Sequence, residues 1–286
     1  MKYVDNKEVE QILLKDPKSY LNYLYERINQ ISKGLEVWVQ PKIIYADPIN
    51  PQWGDIRPMT CFTDRVKVVK VISTNPIRKK TKHVSVGSVL SLDYEENFPH
   101  AIYAAPCLSS IRTAALAHII MRITGHNYND VLLIGTGEVG KYFLKLSPDM
   151  KKIKTYDIKN CTKSSDYKGN VIISATTSRK AFINPENSKF NLLISLGADT
   201  LFNFEVASSL LTSKEWVYVD TFDSFNVGDL SISRQVKRNV KGTLLDLARE
   251  KLCDIFVSVG SPLMDALTIE YIEGTKKSHE GYKNRK

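Results

Sequence analysis

The stretch VLLIGTGEVG, residues 131–140, limits what this chain can fold into more than any other. Four consecutive apolar residues run into Gly135, Gly137 and Gly140, and the helical EVGKYFLKL follows at once. A strand that turns into a helix over spaced glycines belongs to a parallel sheet, because the helix must carry the chain back before the next strand begins. Each glycine has a separate task. Gly135 permits the tight turn, Gly137 lets the backbone approach a diphosphate, and Gly140 lets helix and strand pack closely. Thr136, Glu138 and Val139 complete the loop, and the helix N-terminus faces the anion. A second strand, KTYDIK, ends at Asp157, about twenty residues beyond Gly137, where a carboxylate accepts ribose hydroxyls. The pattern therefore predicts a dinucleotide site. Because Asp157 repels a 2′-phosphate, it predicts NAD in preference to NADP, a preference that neighbouring Lys159 softens.

The surrounding pattern extends this reading. KIKTYDI, NVIISATT, FNLLISLGA and WVYVDTF are further apolar runs separated by helical or loop stretches, the signature of a doubly wound Rossmann-type domain. Upstream, residues 1–33 carry apolar residues at helical spacing, and Leu35–Leu92 is a series of β-branched stretches broken by Pro, Asn and Gly, which predicts an antiparallel β module. Ser109 and Ser110 are predicted to cap a helix that stops at Gly125 and holds Arg112 in its first turn. DIFVSVGSPLMDALTIEYIEG reads as a strand, a turn at Gly260 and Pro262, and a helix returning to the first domain. The expected fold class is α/β: a Rossmann-type NAD-binding domain over 113–245, and an α+β dimerisation and substrate domain from both chain ends, 1–112 and 246–286.

Composition excludes other classes. No apolar run is long enough to span a bilayer, and the stretch after Met1 has no signal-peptide core, so a soluble, cytoplasmic protein without a membrane partner is expected. The four cysteines lie far apart and the five histidines show no metal-ligand spacing, which predicts reduced thiols and no metal site. The last eleven residues, KKSHEGYKNRK, hold five cations and one anion, close to half of the net +9, so the basic balance reads as a solvated tail rather than a nucleic-acid surface.

Beyond the glycine loop, SSIRTAALAHIIMR is similar to the arginine-threonine-alanine-alanine helix of the ornithine cyclodeaminase and mu-crystallin family. RVKVVKVISTN resembles that family's lysine strand, NLLISLGADTLFNFEV its strand ending in Gly-Ala-Asp, and VSVGSPLMDAL its terminal serine-x-glycine strand and aspartate-containing helix. The resemblance runs from about residue 5 to 273. It implies a homodimer joined through the β module, and an active site between the two domains that moves a hydride to or from the α-carbon of an amino or imino acid. Carried over residue by residue, it implies Lys67 as the active-site lysine, Arg112 as the substrate-carboxylate arginine and Asp199 as the catalytic aspartate. Thr113, Glu138, Val139, Asp157, Thr176 and Ser258 fall at positions that touch NAD, and Val259 at a substrate position.

Each implied role has a physical basis and an ordinary alternative. Arg112 offers a planar fork suited to a carboxylate, and Asp199 follows an apolar strand whose carboxyl end opens onto a ligand crevice. Lys67 lies in an alternating strand with Val69 and Val71 on its face and Val66, Val68 and Ile72 opposite; pattern alone reads it equally as a surface lysine. Departures from the family bear on the substrate. Gln40, Pro41 and Lys42 stand where an arginine is usual, Arg57 replaces a glutamate, and Asn203 replaces a lysine. Lys42 and Arg57 beside Arg112 disfavour ornithine and favour a substrate with an extra carboxylate. Three classes stay open: an NAD-dependent amino or imino acid oxidoreductase, a cyclodeaminase lyase with catalytic NAD, and a non-catalytic protein that binds nucleotide and ligand.

Overall fold

The structure, a computed structural model, describes residues 1–40, 42–46, 48–49, 54–74, 85–148, 150–157, 166–197, 203–231 and 233–283. The chain opens with β1 (Lys2–Val4), α1 (Asn6–Lys15) and α2 (Pro17–Ser32). Asp5 caps α1 by accepting the Glu8 N–H at 2.8 Å, and Pro17, with its fixed φ, starts α2. Strands β2 (Trp38–Val39), β3 (Tyr45–Ala46), β4 (Asp55–Phe62), β5 (Lys67–Thr74), β6 (Ser85–Leu92) and β7 (Pro99–Ala104) follow, then α3 (Ala105–Ile123). Thereafter come β8 (Val131–Ile134), α4 (Glu138–Leu146), β9 (Ile153–Tyr156), β10 (Tyr167–Lys168), β11 (Val171–Ser174), β12 (Ser188–Lys189) and β13 (Leu192–Ser195). The last stretch holds α5 (Ser208–Ser213), β14 (Val217–Val219), α6 (Arg234–Asn239), β15 (Val240–Thr243), α7 (Leu244–Glu250), β16 (Ile255–Val257) and α8 (Pro262–Lys283).

These elements form two units. Unit 1 comprises Met1–Arg27, Gly34–Arg112 and Pro262–Lys286. Its sheet runs β1-β7-β6-β5-β4-β2 with β3 also on β4, antiparallel except where β1 joins β7. Alternation along β5 buries Val68, Lys70 and Ile72 and sends Val69 and Val71 to the opposite face. Contacts with β4 and β5 set α8 against the buried face, and its buried polar residues all find partners. Thr268 Oγ1 lies 2.8 Å from the Tyr20 hydroxyl. Glu270 accepts from Arg27 Nε and the Tyr23 hydroxyl, both at 2.8 Å, and from Thr63. Glu273 accepts from the Tyr103 hydroxyl at 3.1 Å.

Unit 2 comprises Ile28–Lys33 and Thr113–Ser261, and its seven-stranded sheet, β15-β14-β16-β13-β11-β8-β9, is parallel throughout. Strands β8, β11, β13, β14 and β16 are buried along their whole length, as a parallel sheet covered on both faces requires.

Two sequence expectations need correction. The strand in DIFVSVG does not leave with the first domain: β16 pairs with β13 on one side and β14 on the other, and the chain crosses to unit 1 at Pro262, not near residue 246. Its unbroken Ile255-Phe256-Val257 run suits an interior parallel strand. Likewise, Ser109 and Ser110 do not cap α3, which begins at Ala105 with Pro106 in its first turn. Ser110 Oγ instead bonds the Pro106 carbonyl at 3.0 Å. Arg112 therefore lies beyond the first turn, away from the free amides of the helix N-terminus. Among the described residues no helix is long and apolar enough to cross a membrane.

The Arg27 and Glu270 side chains are 3% and 0% exposed, and Asp64 pairs with Arg27 as well, so it is removal of Arg27 that leaves a buried charge, Glu270, without its cation. Arg27→Ala is expected to lower stability by about 3–5 kcal/mol in urea unfolding, whereas a loss under about 1 kcal/mol, typical of a surface pair, would contradict this account.

Candidate functional site

Unit 2 offers a nucleotide cradle. From β8 the chain goes outward to β9 and then returns to β11 on the other side of β8, so the strand order reverses there. Crevices at the carboxyl ends of such strands are where parallel sheets bind ligands. Gly135 turns at φ +98°, and a Cβ on it would sit 2.3 Å from the Ala175 carbonyl oxygen. A Cβ on Gly140 would sit 2.1 Å from the Gly135 oxygen, while one on Gly137 meets nothing within 4 Å. The first and third glycines are thus fixed by packing, and the second leaves open space beside the N-terminus of α4, where Gly137 provides no side-chain cap. Anion-binding amides and an uncrowded approach fit a dinucleotide diphosphate. Asp157 follows β9 half-buried, and the Gly135 N–H bonds the Tyr156 carbonyl at 2.8 Å, which ties the end of β9 to the loop. Thr136 and Val139 are half-buried, and Glu138 is exposed.

Other predicted nucleotide residues are engaged within the protein. Ser258 Oγ donates to Asp220 at 2.7 Å, and the same carboxylate accepts the Val259 N–H at 3.1 Å and the Gly260 N–H at 2.7 Å. Asp220 thereby shapes the turn after β16 and takes the Ser258 hydroxyl proton, leaving that oxygen as an acceptor. The Thr176 N–H donates to Glu205 at 2.6 Å, and its hydroxyl accepts from Ser178 N–H at 3.3 Å. Thr113 is buried in α3.

Unit 1 offers a cationic cluster that the sequence reading missed. Lys70, 0% exposed, places Nζ 3.0 Å from both Asp265 oxygens and 2.8 Å from Ser109 Oγ. Arg112 Nε donates to the same carboxylate at 3.1 Å, and Arg112 Nη1 is buried with no hydrogen-bond partner. Two cations thus share one anion, leaving positive charge and an unused donor. Burial pushes the Lys70 ammonium down to about 8, against the pull of Asp265 and with the help of Arg112 and Lys42. That Lys42 acts on Lys70 puts a third buried cation in the neighbourhood.

Lys67 is not part of this cluster. It projects from the other face of β5, donates to the Tyr94 carbonyl at 2.6 Å and Asn97 Oδ1 at 2.9 Å, and lies over the Tyr94 ring. The readable signal for Lys70 was its register with Val68 and Ile72. Arg57 is buried on the Lys70 face, opposite Ile72, but Asp55 holds it in a two-point pair at 2.7 Å each. Its charge is therefore offset, which weakens the expectation of an extra substrate carboxylate. Asp199 lies outside the described residues.

No sequence-family model matches the chain, and no curated protein matches it. Solved structures do. A Thermococcus litoralis Δ1-pyrroline-2-carboxylate reductase in complex with NADH and L-proline gives a TM-score of 0.80 at 17% identity, over 97% of this chain and 98% of that one. An archaeal alanine dehydrogenase dimer with bound NAD gives 0.78 at 18% identity, over 97% of each chain. A probable ornithine cyclodeaminase from Bordetella pertussis Tohama I gives 0.77 at 15% identity, over 98% of each. The chain has the ornithine cyclodeaminase-like fold. The Rossmann-type unit and the second unit built from both chain ends are those expected from the sequence.

Lys70 carries its charge below a pH of about 8 and loses it above. Binding of a small carboxylate such as pyruvate, followed by calorimetry, is expected to weaken as pH rises through about 8. Lys70→Met should bind weakly without that dependence; a Lys70→Met profile identical to wild type would remove Lys70 from the site.

Proposed function

We propose that the protein is an NAD(H)-dependent oxidoreductase acting at the α-carbon of an amino or imino acid. The observation that carries the reading is the buried, unpartnered Arg112 Nη1 beside Lys70, with both residues sharing Asp265. A buried donor without an acceptor costs about 1–3 kcal/mol, and a substrate carboxylate relieves that cost while meeting the residual positive charge. The glycine loop after β8 and the carboxylate after β9 support NAD as the partner cofactor. Two proteins of the same fold were solved with NADH and with NAD, and one of them also holds an amino acid, L-proline.

When bound, the dinucleotide takes or gives the hydride. Arg112 holds the carboxylate by hydrogen bonds, and Lys70 stabilises it by charge and limits its rotation. This assigns to Lys70 the part that the family resemblance gave to Lys67. Asp199 is the proposed general base, drawing a proton from the water that attacks the imine carbon or returning it in reverse.

Amino acids should produce NADH in a spectrophotometric assay, or their imines consume it, with NAD(H) preferred to NADP(H) and the preference narrowed in Asp157→Ala. Arg112→Ala should cost about 2–5 kcal/mol in substrate binding, and Asp199→Asn should lower turnover about a hundredfold. Ammonia release with no net NADH would point to a cyclodeaminase, and nucleotide binding without any turnover to a binding protein.

The same reading includes a homodimer formed through unit 1. Trp38, Tyr45, Ile56 and Val71 are 44–56% exposed on the sheet face away from α8, large apolar side chains of the kind an interface would cover. Light scattering at micromolar concentration should give twice the chain mass, and Val71→Lys, which sets a charge on that face, should shift it to the monomer; a monomeric wild type would rule the dimer out.

A further inference from the structure

At the carboxyl ends of β11 and β13, unit 2 buries two carboxylates, Glu205 and Asp229, each 0% exposed. Among the described residues no lysine, arginine or histidine pairs with either. Glu205 is nevertheless well satisfied. Its Oε1 accepts from Ser174 Oγ and from the Thr176 N–H, both at 2.6 Å, and its Oε2 accepts from the Gly197 N–H and from Ser195 Oγ, both at 2.8 Å. One side chain thus clasps the ends of two neighbouring strands. The fit is close: a Cβ on Gly197 would sit 2.0 Å from the Thr176 oxygen and 2.6 Å from Glu205 Oε1.

Asp229 is satisfied on one side only. Its Oδ1 accepts the N–H groups of Glu205 at 2.8 Å and Val206 at 3.2 Å, while its Oδ2 meets Ser195 Oγ at 3.1 Å. Ser195 has a single hydroxyl proton and stands between two carboxylate oxygens. If both carboxylates were ionised, one of those contacts would oppose lone pairs in a dry interior. A proton on Asp229 Oδ2 removes the conflict, because Asp229 then donates to Ser195 and Ser195 donates to Glu205. Burial, reinforced by the neighbouring Glu205 charge, pushes the Asp229 carboxyl up to about 7, in keeping with that arrangement.

We infer that Asp229 holds this proton and, through Ser195, keeps Glu205 in place as the positioning residue for the two strand ends. Thr176 and Gly197, at the ends of β11 and β13, are then held in place for the cofactor only while Asp229 is neutral. The link to the cofactor rests on the dinucleotide reading above; the proton itself does not. Glu205 is the one titratable side chain facing Asp229 within this bonded group among the described residues. When Asp229 ionises, two like charges share one serine proton, and Glu205 is driven from the Thr176 and Gly197 amides. Cofactor affinity should therefore be highest below the Asp229 transition and fall as pH rises through about 7.

Two measurements test this on the intact protein. Hydrogen exchange gives protection factors for the Thr176 and Gly197 amides, corrected for intrinsic rates, between pH 6 and 9. Fluorescence titration gives the NADH dissociation constant over the same range. In wild type, protection should fall about tenfold and the dissociation constant should rise about fivefold or more. Asp229→Asn imitates the neutral acid, with its oxygen accepting the same two amides and its nitrogen donating to Ser195, so both profiles should become flat. Wild-type protection that stays constant across pH 7, or falls equally in D229N, overturns the proton assignment. Protection that falls while NADH affinity stays constant overturns the link to the cofactor. If NADH binds at no pH, the dinucleotide reading and the cofactor half of this inference both fail, and the exchange profiles still decide the proton.

Discussion

Asp265 is fully buried, and a carboxylate deprived of water needs charge and hydrogen bonds from the protein in return. It obtains them from Lys70 on β5 and Arg112 on α3, while itself standing on α8. Three segments far apart in the chain are thereby held at fixed positions along one another. A shift of β5 by one residue would turn Lys70 to the opposite face and leave Asp265 without its ammonium. The same constraint creates chemistry. Because two cations answer one anion, the cluster that keeps the fold in register also has attraction left over for a second carboxylate.

Unit 2 is organised by a different limit, the space between backbones. Its central strands are buried along their whole length, and Gly135, Gly140 and Gly197 mark places where a Cβ would strike a carbonyl oxygen 2.0–2.3 Å away. Both limits are local in sequence, since an apolar run and a spaced glycine can be read without knowing what packs against them. That is why the parallel sheet, the turn after β8 and the position of Asp157 were legible in the chain.

What was not legible depends on partners distant in sequence. Lys67 and Lys70 sit in one strand with valines or isoleucine on both faces, so pattern alone does not reveal which face α8 covers. The answer lies in Asp265, almost two hundred residues away along the chain. Ser109 and Ser110 read as caps because serine favours helix starts, yet Pro106, with its preset φ, starts α3 earlier. The unit that β16 joins is not legible either, because a three-residue apolar strand looks the same at the centre of one sheet or the edge of another. Arg57 reads from the sequence as a substrate-facing cation, but Asp55, two residues away on the same strand face, neutralises it.

Unit 2 is inserted between parts of unit 1, the chain leaving after Arg112 and returning at Pro262. On a ribosome this imposes an order of events. The β-sheet of unit 1 is complete in sequence long before α8 is made, yet Lys70, Arg112 and Arg27 then face no carboxylate from that helix. Unit 2, whose strands and partners are nearly all contiguous, can close in the interval. The unfinished sheet must wait with its buried cations solvated and its apolar face uncovered, which makes it the part of a nascent chain that a chaperone would be expected to shield.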